Sequence, residues 1–159
     1  MKNIRIAIGA DHAAVVMKDL LVAELRQAGA RVEDLGTNSS ESVDYPDFAS
    51  LVAARVVSGG VDKGILLCGT GIGMSIAANK IHGIRAALCH DVTTARLARL
   101  HNDSNVLCMG GRILGQAVAS DIVRTWLSTQ FEGGRHQGRV DKIESLESAG
   151  AGIVKETSK

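Results

Sequence analysis

The chain has 159 residues, 45% of them apolar, and a formal net charge of +1 from 18 basic and 17 acidic side chains. That length supports one domain with a sizeable core, and so even a charge balance argues against bulk electrostatic binding of nucleic acid, which confines any anion site to a local arrangement. Aromatic residues make up only 3%, too few for a platform that stacks bases or flavin, and no apolar run approaches the roughly 18 residues of a membrane span.

The opening Met1-Lys2-Asn3-Ile4-Arg5 leads straight into an apolar run without the h-region and cleavage site of a signal peptide, so a cytoplasmic setting is expected. Ile4 to Ile8 reads as a buried strand. Val16, Leu20, Leu21 and Leu25 recur at helical spacing within 13–27, and Gly29 ends that helix. Arg31 to Leu35 is a second strand. A polar loop from Gly36 to Pro46 follows, and Asp47 is expected to cap a helix that stops before Gly59-Gly60. Lys63 to Cys68 (KGILLC) is a continuous apolar run, as a central parallel strand requires. After the glycine-rich turn Gly69–Gly73, the pattern predicts a helix over 74–81. A fourth strand spans 84–89. Asp91 caps a helix to Leu100, and a fifth strand spans 105–109. Helices over 116–130 and 137–147 flank the break at Gly133-Gly134. The alternation predicts an α/β chain: right-handed βαβ units with one five-stranded parallel sheet, in a single domain over 1–149. The small, polar tail over 150–159 is expected to be flexible.

In open α/β sheets, ligands bind beyond the carboxyl ends of the strands. Asp11 and His12 follow the first strand there, Cys68 and Gly69-Thr70-Gly71-Ile72-Gly73 the third, His90-Asp91 the fourth and Gly110-Gly111-Arg112 the fifth. Glycines let backbone amides approach an anion, and the next helix adds its positive end. The loop is neither a Walker A motif nor GxGxxG, since Met74 stands where a third glycine would be; a tight turn without a ligand fits the same residues. Cys68 faces that helix start, which favours thiolate, but a small buried hydrophobe is the competing reading, and it is the one adopted for Cys89 and Cys108. An odd number of scattered cysteines implies free thiols, and no CxxC or His–Cys cluster suggests a metal. His101 either caps a helix C-terminus or does chemistry; His82 and His90 are read as bland. Arg135 and Arg139, four apart with His136 between them, suit a phosphate if helical, or a solvated helix start if not.

A phosphosugar aldose–ketose isomerase needs a base between C1 and C2, donors for an enediolate, a group that opens the ring and cations for the phosphate. One candidate exists for each need: Cys68, the Gly69–Gly73 amides with Thr70, His101, and Arg135 with Arg139. Gly9-Ala-Asp-His12, Asp44-Tyr45-Pro46, Cys68-Gly-Thr-Gly-Ile-Gly73, Ala77-Ala-Asn-Lys80, His101-Asn102-Asp103 and Gly133-Gly-Arg-His-Gln137 together resemble the type B ribose 5-phosphate isomerases, in a wider group that includes galactose 6-phosphate isomerase subunits. The resemblance runs from Ile4 to Leu146. It implies a Rossmann-like three-layer α/β/α fold and a homodimer, sometimes a tetramer, with active sites shared between subunits. It implies no metal and no organic cofactor, and a small sugar phosphate as the only ligand.

By the same resemblance Cys68 is the base, Thr70 shuttles protons on the substrate oxygens and His101 opens the ring. The amides of Gly69, Gly71 and Gly73 form the anion hole, and Asp11 and Asn102 bind sugar hydroxyls. His12, Arg112, Arg135 and Arg139 hold the phosphate, and Tyr45 lines the pocket. One branch uses a glutamate in the glycine loop as base; Met74 occupies that position here, which places the chain in the cysteine branch. Keeping both Cys68 and the His101-Asn102 pair favours the pentose over the galactose 6-phosphate. The rivals are the same chemistry on a hexose 6-phosphate, a difference of one carbon that sequence reads poorly, and a nucleotide-binding module, which would leave Cys68, His101 and the arginines without a task.

Overall fold

Three of the strands are apolar on both faces because helices cover the sheet on both sides, and the alternation of their side chains divides the core in two. The computed structural model describes residues 3–148; the tail expected over 150–159 lies outside them. The strands are β1 (Arg5–Ala10), β2 (Arg31–Asp34), β3 (Lys63–Cys68), β4 (Ala86–Leu88) and β5 (Val106–Gly110). All pair in parallel, in the order β2-β1-β3-β5-β4. The fold is therefore the expected α/β/α sandwich, with β5 inserted between β3 and β4.

The helices are α1 (Val15–Gln27), α2 (Tyr45–Val57), α3 (Ile72–Ala78), α4 (Val92–Asn102), α5 (Gln116–Ser128) and α6 (Gln137–Ser148), and a 3-10 turn at Gly134–His136 leads into α6. Ile8, Ile65, Leu67, Leu107 and Met109 point to one face, under Leu21, Ala95, Ile122 and the fully buried Trp126 of α1, α4 and α5. Ala7, Leu66, Cys68, Val106 and Cys108 point to the other, under Val52 and Ala53 of α2 and Met74 of α3. The indole N–H of Trp126 donates to Ser104 Oγ at 2.7 Å, so the largest core side chain buries no orphan donor.

Among the boundaries that differ from expectation, including a fourth strand shortened from 84–89 to Ala86–Leu88, three have a local reason. α2 begins at Tyr45 with Asp44, not Asp47, at its N-cap, because Pro46 fits the first turn, where its missing N–H costs nothing. α3 begins at Ile72, inside the glycine loop, because Gly71 takes φ +79 as N-cap. α4 runs on to Asn102 and ends where Asp103 turns left-handed at φ 44, so His101 and Asn102 ride on its last turn. Asp91 caps α4 as expected, accepting from the Thr94 amide at 2.8 Å. Among the described residues, no helix is long and apolar enough to cross a membrane.

Candidate active site

The crossover after β1 leads to β2 on one side of the sheet and the crossover after β3 leads to β4 on the other, so the carboxyl ends of β1 and β3 flank the point where a crevice opens. Asp11 and His12 leave β1 there. Asp11 is buried, and its Oδ1 accepts from the Ala13 amide at 2.9 Å. His12 Nδ1 accepts from the Val43 amide at 3.2 Å, which leaves Nε2 as the ring's donor. A cavity of about 510 Å³ opens beside it, walled by His12, Asn38, Ser40, Gly111 and Gln116. A second hollow of about 380 Å³, between α1 and α5, is lined by Glu24, Ser120 and Arg124 and offers none of the chemistry sought here.

Cys68 closes β3 with 5% exposure, and the Gly71 amide donates to its Sγ at 3.1 Å. The sulfur thus accepts from a backbone N–H beside the start of α3. Thr70 is exposed, and its Oγ1 accepts from the Ile72 amide at 3.3 Å. The loop turns tightly because a Cβ on Gly71 would stand 2.6 Å from Leu88 Cδ1 and 2.7 Å from the Met109 carbonyl carbon. Tyr45 lies against Gly73, where a Cβ would meet its ring at 2.6 Å. Arg112 lies along Gly69, its Cδ 3.5 Å from where a Cβ would be. Asp11, His12, Tyr45, Cys68, Gly69, Thr70, Gly71, Gly73 and Arg112 thus share one edge of the sheet. His90, read as bland from sequence, belongs with them: its Nε2 lies 3.2 Å from the Thr70 carbonyl. Its place directly after β4 was the available signal.

The remaining candidates gather elsewhere. His101 and His136 stack, ring centroids 4.2 Å apart and planes within 8°. Their Nε2 atoms lie 3.9 and 3.8 Å from the Glu132 carboxylate, a neighbour the sequence reading did not single out. Arg135 Nε is 3.4 Å from His136 Nε2, and Arg139 Nη1 is 3.4 Å from Nδ1. A neutral imidazole has one acceptor nitrogen, so it cannot take both donors. Burial first, then His101 and the two guanidiniums, holds the His136 imidazole below the usual histidine range, against Glu132. Histidine and glutamate ligand atoms here come within 4.8 Å of one another, a spacing a metal could use. Two guanidiniums on His136 favour an anion instead.

This second cluster sits at the amino edge of the sheet. Asn102 and Asp103 accept from Arg85, just before β4, and Asn105 accepts at its carbonyl from Gly64 at the start of β3. Cys68 pairs with Gly110 at the far end of β5, and five strand residues span about 13 Å. Within one chain, then, Cys68 and His101 stand too far apart to act on neighbouring atoms of one small ligand. Cys89 and Cys108 are buried as expected; burial pushes the Cys89 thiol up to about 11 and the Cys108 thiol higher still, which suits small core hydrophobes rather than nucleophiles.

A family model described as ribose/galactose isomerase matches residues 6–143. The chain is 52% identical to ribose-5-phosphate isomerase B of Escherichia coli, across 90% of this chain and 96% of that one. It is 45% identical to a D-erythrulose-4-phosphate isomerase of Pectobacterium atrosepticum, across 87% and 91%. Its fold superposes on the ribose-5-phosphate isomerase B of Clostridium thermocellum with a TM-score of 0.90 at 50% identity, covering 91% of this chain and 98% of that one.

Proposed function

Because the chain belongs to the ribose/galactose isomerase family, we propose that it interconverts D-ribose 5-phosphate and D-ribulose 5-phosphate through an enediolate, without a metal, and in the cytoplasm. The observation that carries the reading is the Gly71 N–H bond to Cys68 Sγ inside a glycine loop at the head of α3. Cys68 thiolate takes the proton from C2 of the open-chain aldose, and the electron pair moves to form the C1–C2 double bond as the carbonyl oxygen becomes an alkoxide. The resulting thiol returns its proton to C1. The Thr70 hydroxyl moves the remaining proton between O2 and O1, so the reaction is balanced with no net proton change. The Gly71 amide is engaged on sulfur and the Ile72 amide on Thr70 Oγ1. The enediolate therefore falls to the other amides of the loop and of the first turn of α3, Gly69 and Gly73 among them.

The sugar phosphate needs the second cluster as well, and the sheet separates the two within a chain. We therefore place a homodimer behind the activity, in which one subunit supplies Cys68 and its loop, and its partner supplies His101, Asn102, Arg135 and Arg139. His101 opens the furanose ring. Asp11 and Asn102 take sugar hydroxyls, and Tyr45 walls the pocket. His12, Arg112 and the arginines of the second cluster hold the phosphate. The likeness to a four-carbon sugar-phosphate isomerase makes chain length the axis on which specificity is measured, with tetrose 4-phosphates and hexose 6-phosphates as competing substrates.

The test is conversion of ribose 5-phosphate in excess EDTA, with Cys68→Ala alongside. Turnover by the wild type, reduced at least about 10²-fold in a folded variant, is expected, as for loss of a positioned base. Turnover that survives the substitution moves the base to another residue. No turnover by folded wild type overturns the pentose assignment.

A further inference from the structure

Arg85 stands one residue ahead of β4, at the amino edge of the sheet, with its side chain only 15% exposed. Its backbone is fixed there. The Arg85 amide donates to Asn105 Oδ1 at 2.8 Å, and Asn105 Nδ2 donates back to the Gly83 carbonyl at 2.7 Å. The guanidinium then reaches in two directions. Nε donates to the carbonyls of Asn102 and Asp103, both at 3.1 Å, and Nη2 donates to the Asp103 carbonyl at 2.9 Å and its Oδ2 at 3.0 Å. Nη1 donates to Glu144 Oε1 at 2.8 Å.

The two carbonyls belong to the end of α4, where a helix leaves its last acceptors without internal partners and presents its negative end. Glu144 lies on α6, the helix that carries Arg139. One side chain therefore ties the sheet to the turn bearing His101 and Asn102 and to the helix bearing Arg139. Arg99 holds the other side of the same turn: its Nη1 donates to Asp103 Oδ1 at 2.7 Å and to the Ser104 carbonyl at 2.6 Å, and its Nε to the Thr129 carbonyl at 3.3 Å. That arginine links α4 inward, to the end of α5, and makes no bond to α6.

We propose that Arg85 is a positioning residue: it sets the last turn of α4 against α6 and so keeps His101 stacked on His136 with Arg139 in line. A planar fork with five donors can serve two carbonyls and two carboxylates at once, which an ammonium on a flexible stem does not do. The inference rests on reading the His101 cluster as half of the active site, and the experiment separates the two.

Arg85→Met keeps most of the stem's packing, and Arg85→Lys keeps the charge without the fork. In both, the ring-proton NMR shifts of His101 and His136 are compared with wild type, since stacked rings shift one another upfield. The kcat and KM for ribose 5-phosphate and the rate of Cys68 alkylation by iodoacetamide are measured on the same samples. Both variants are expected to lose the mutual upfield shift, to lose about 10- to 100-fold in kcat/KM, as a displaced catalytic group does, and to alkylate at the wild-type rate. Wild-type shifts in either variant overturn the proposal, and so does a Cys68 rate that rises as turnover falls, which would mark a general loss of structure around a buried thiol. Should Arg85→Met fail to fold, Arg85→Lys decides alone. Should the wild type not turn over ribose 5-phosphate, the active-site reading fails while the ring shifts still decide whether Arg85 positions His101.

Discussion

The loop that follows Cys68 owes its setting partly to local sequence and partly to a residue that only the fold brings near. An apolar strand ending in cysteine before Gly-Thr-Gly is visible in one dimension; His90 reaches the Thr70 carbonyl at 3.2 Å only because β5 and β4 bring the next crossover to the same edge. Arg85, with donors to α4 and α6, and Lys18, fully buried on α1 with its ammonium 2.7 Å from Asp34 and 2.8 Å from Asn38, gave no signal either. A charged residue reads as solvated until its partners, 16 and 20 positions away for Lys18, are placed beside it. At this scale His136 makes a prediction about pH. Its imidazole is held below the usual histidine range by burial first and then by His101 and the arginines. The unfolded chain therefore binds more protons than the folded one between the depressed value and the ordinary value of about 6.5. The contribution to stability is complete above that ordinary value and is lost as pH falls through the window below it. In thermal melts between about pH 7.5 and pH 5.5, His136→Asn should lose less Tm on acidification than the wild type. Parallel curves would remove His136 from the account.

Elements decide how the glycine loop is aimed. Helix α3 was expected from residue 74 and starts at 72 because Gly71 adopts a left-handed φ of 79 and lets the chain turn straight into the helix. No periodicity argument reports such a turn, since it depends on one backbone angle and on Leu88 and Met109 crowding the place where a Cβ would be. The same features predict the outcome of Gly71→Ala. Left-handed strain and a contact of 2.6 Å with Leu88 Cδ1 should together destabilise the fold by about 1–3 kcal/mol. The loop should shift enough to weaken the N–H bond on Cys68. Denaturant melts and the rate of Cys68 alkylation check the two effects, and a variant with wild-type values for both would mean that the loop tolerates a side chain. The strand and helix series itself was legible because alternating apolar runs and helical spacing are local; the order β2-β1-β3-β5-β4 was not, because the insertion of β5 between β3 and β4 is set by long-range pairing.

At the scale of the whole molecule, the candidate site residues divide into two groups, one at each edge of the sheet. Order along the chain carries no sign of that division: His101 and Arg135 follow Cys68 in sequence as naturally as Arg112 does. The fold separates them by about the length of β5, roughly 13 Å, and the proposed homodimer would bring them together between two subunits. A shared active site requires that the two halves come from different subunits, which a mixing experiment measures directly. Cys68→Ala and His101→Asn chains, each inactive alone on ribose 5-phosphate, are unfolded and refolded together. In a shared-site dimer, half of the molecules are hybrids, and each hybrid has one site with both native residues, so activity should return to about a quarter of wild type. A mixture as inactive as its components would contradict the shared site and put Cys68 and His101 to work within a single chain or in separate tasks.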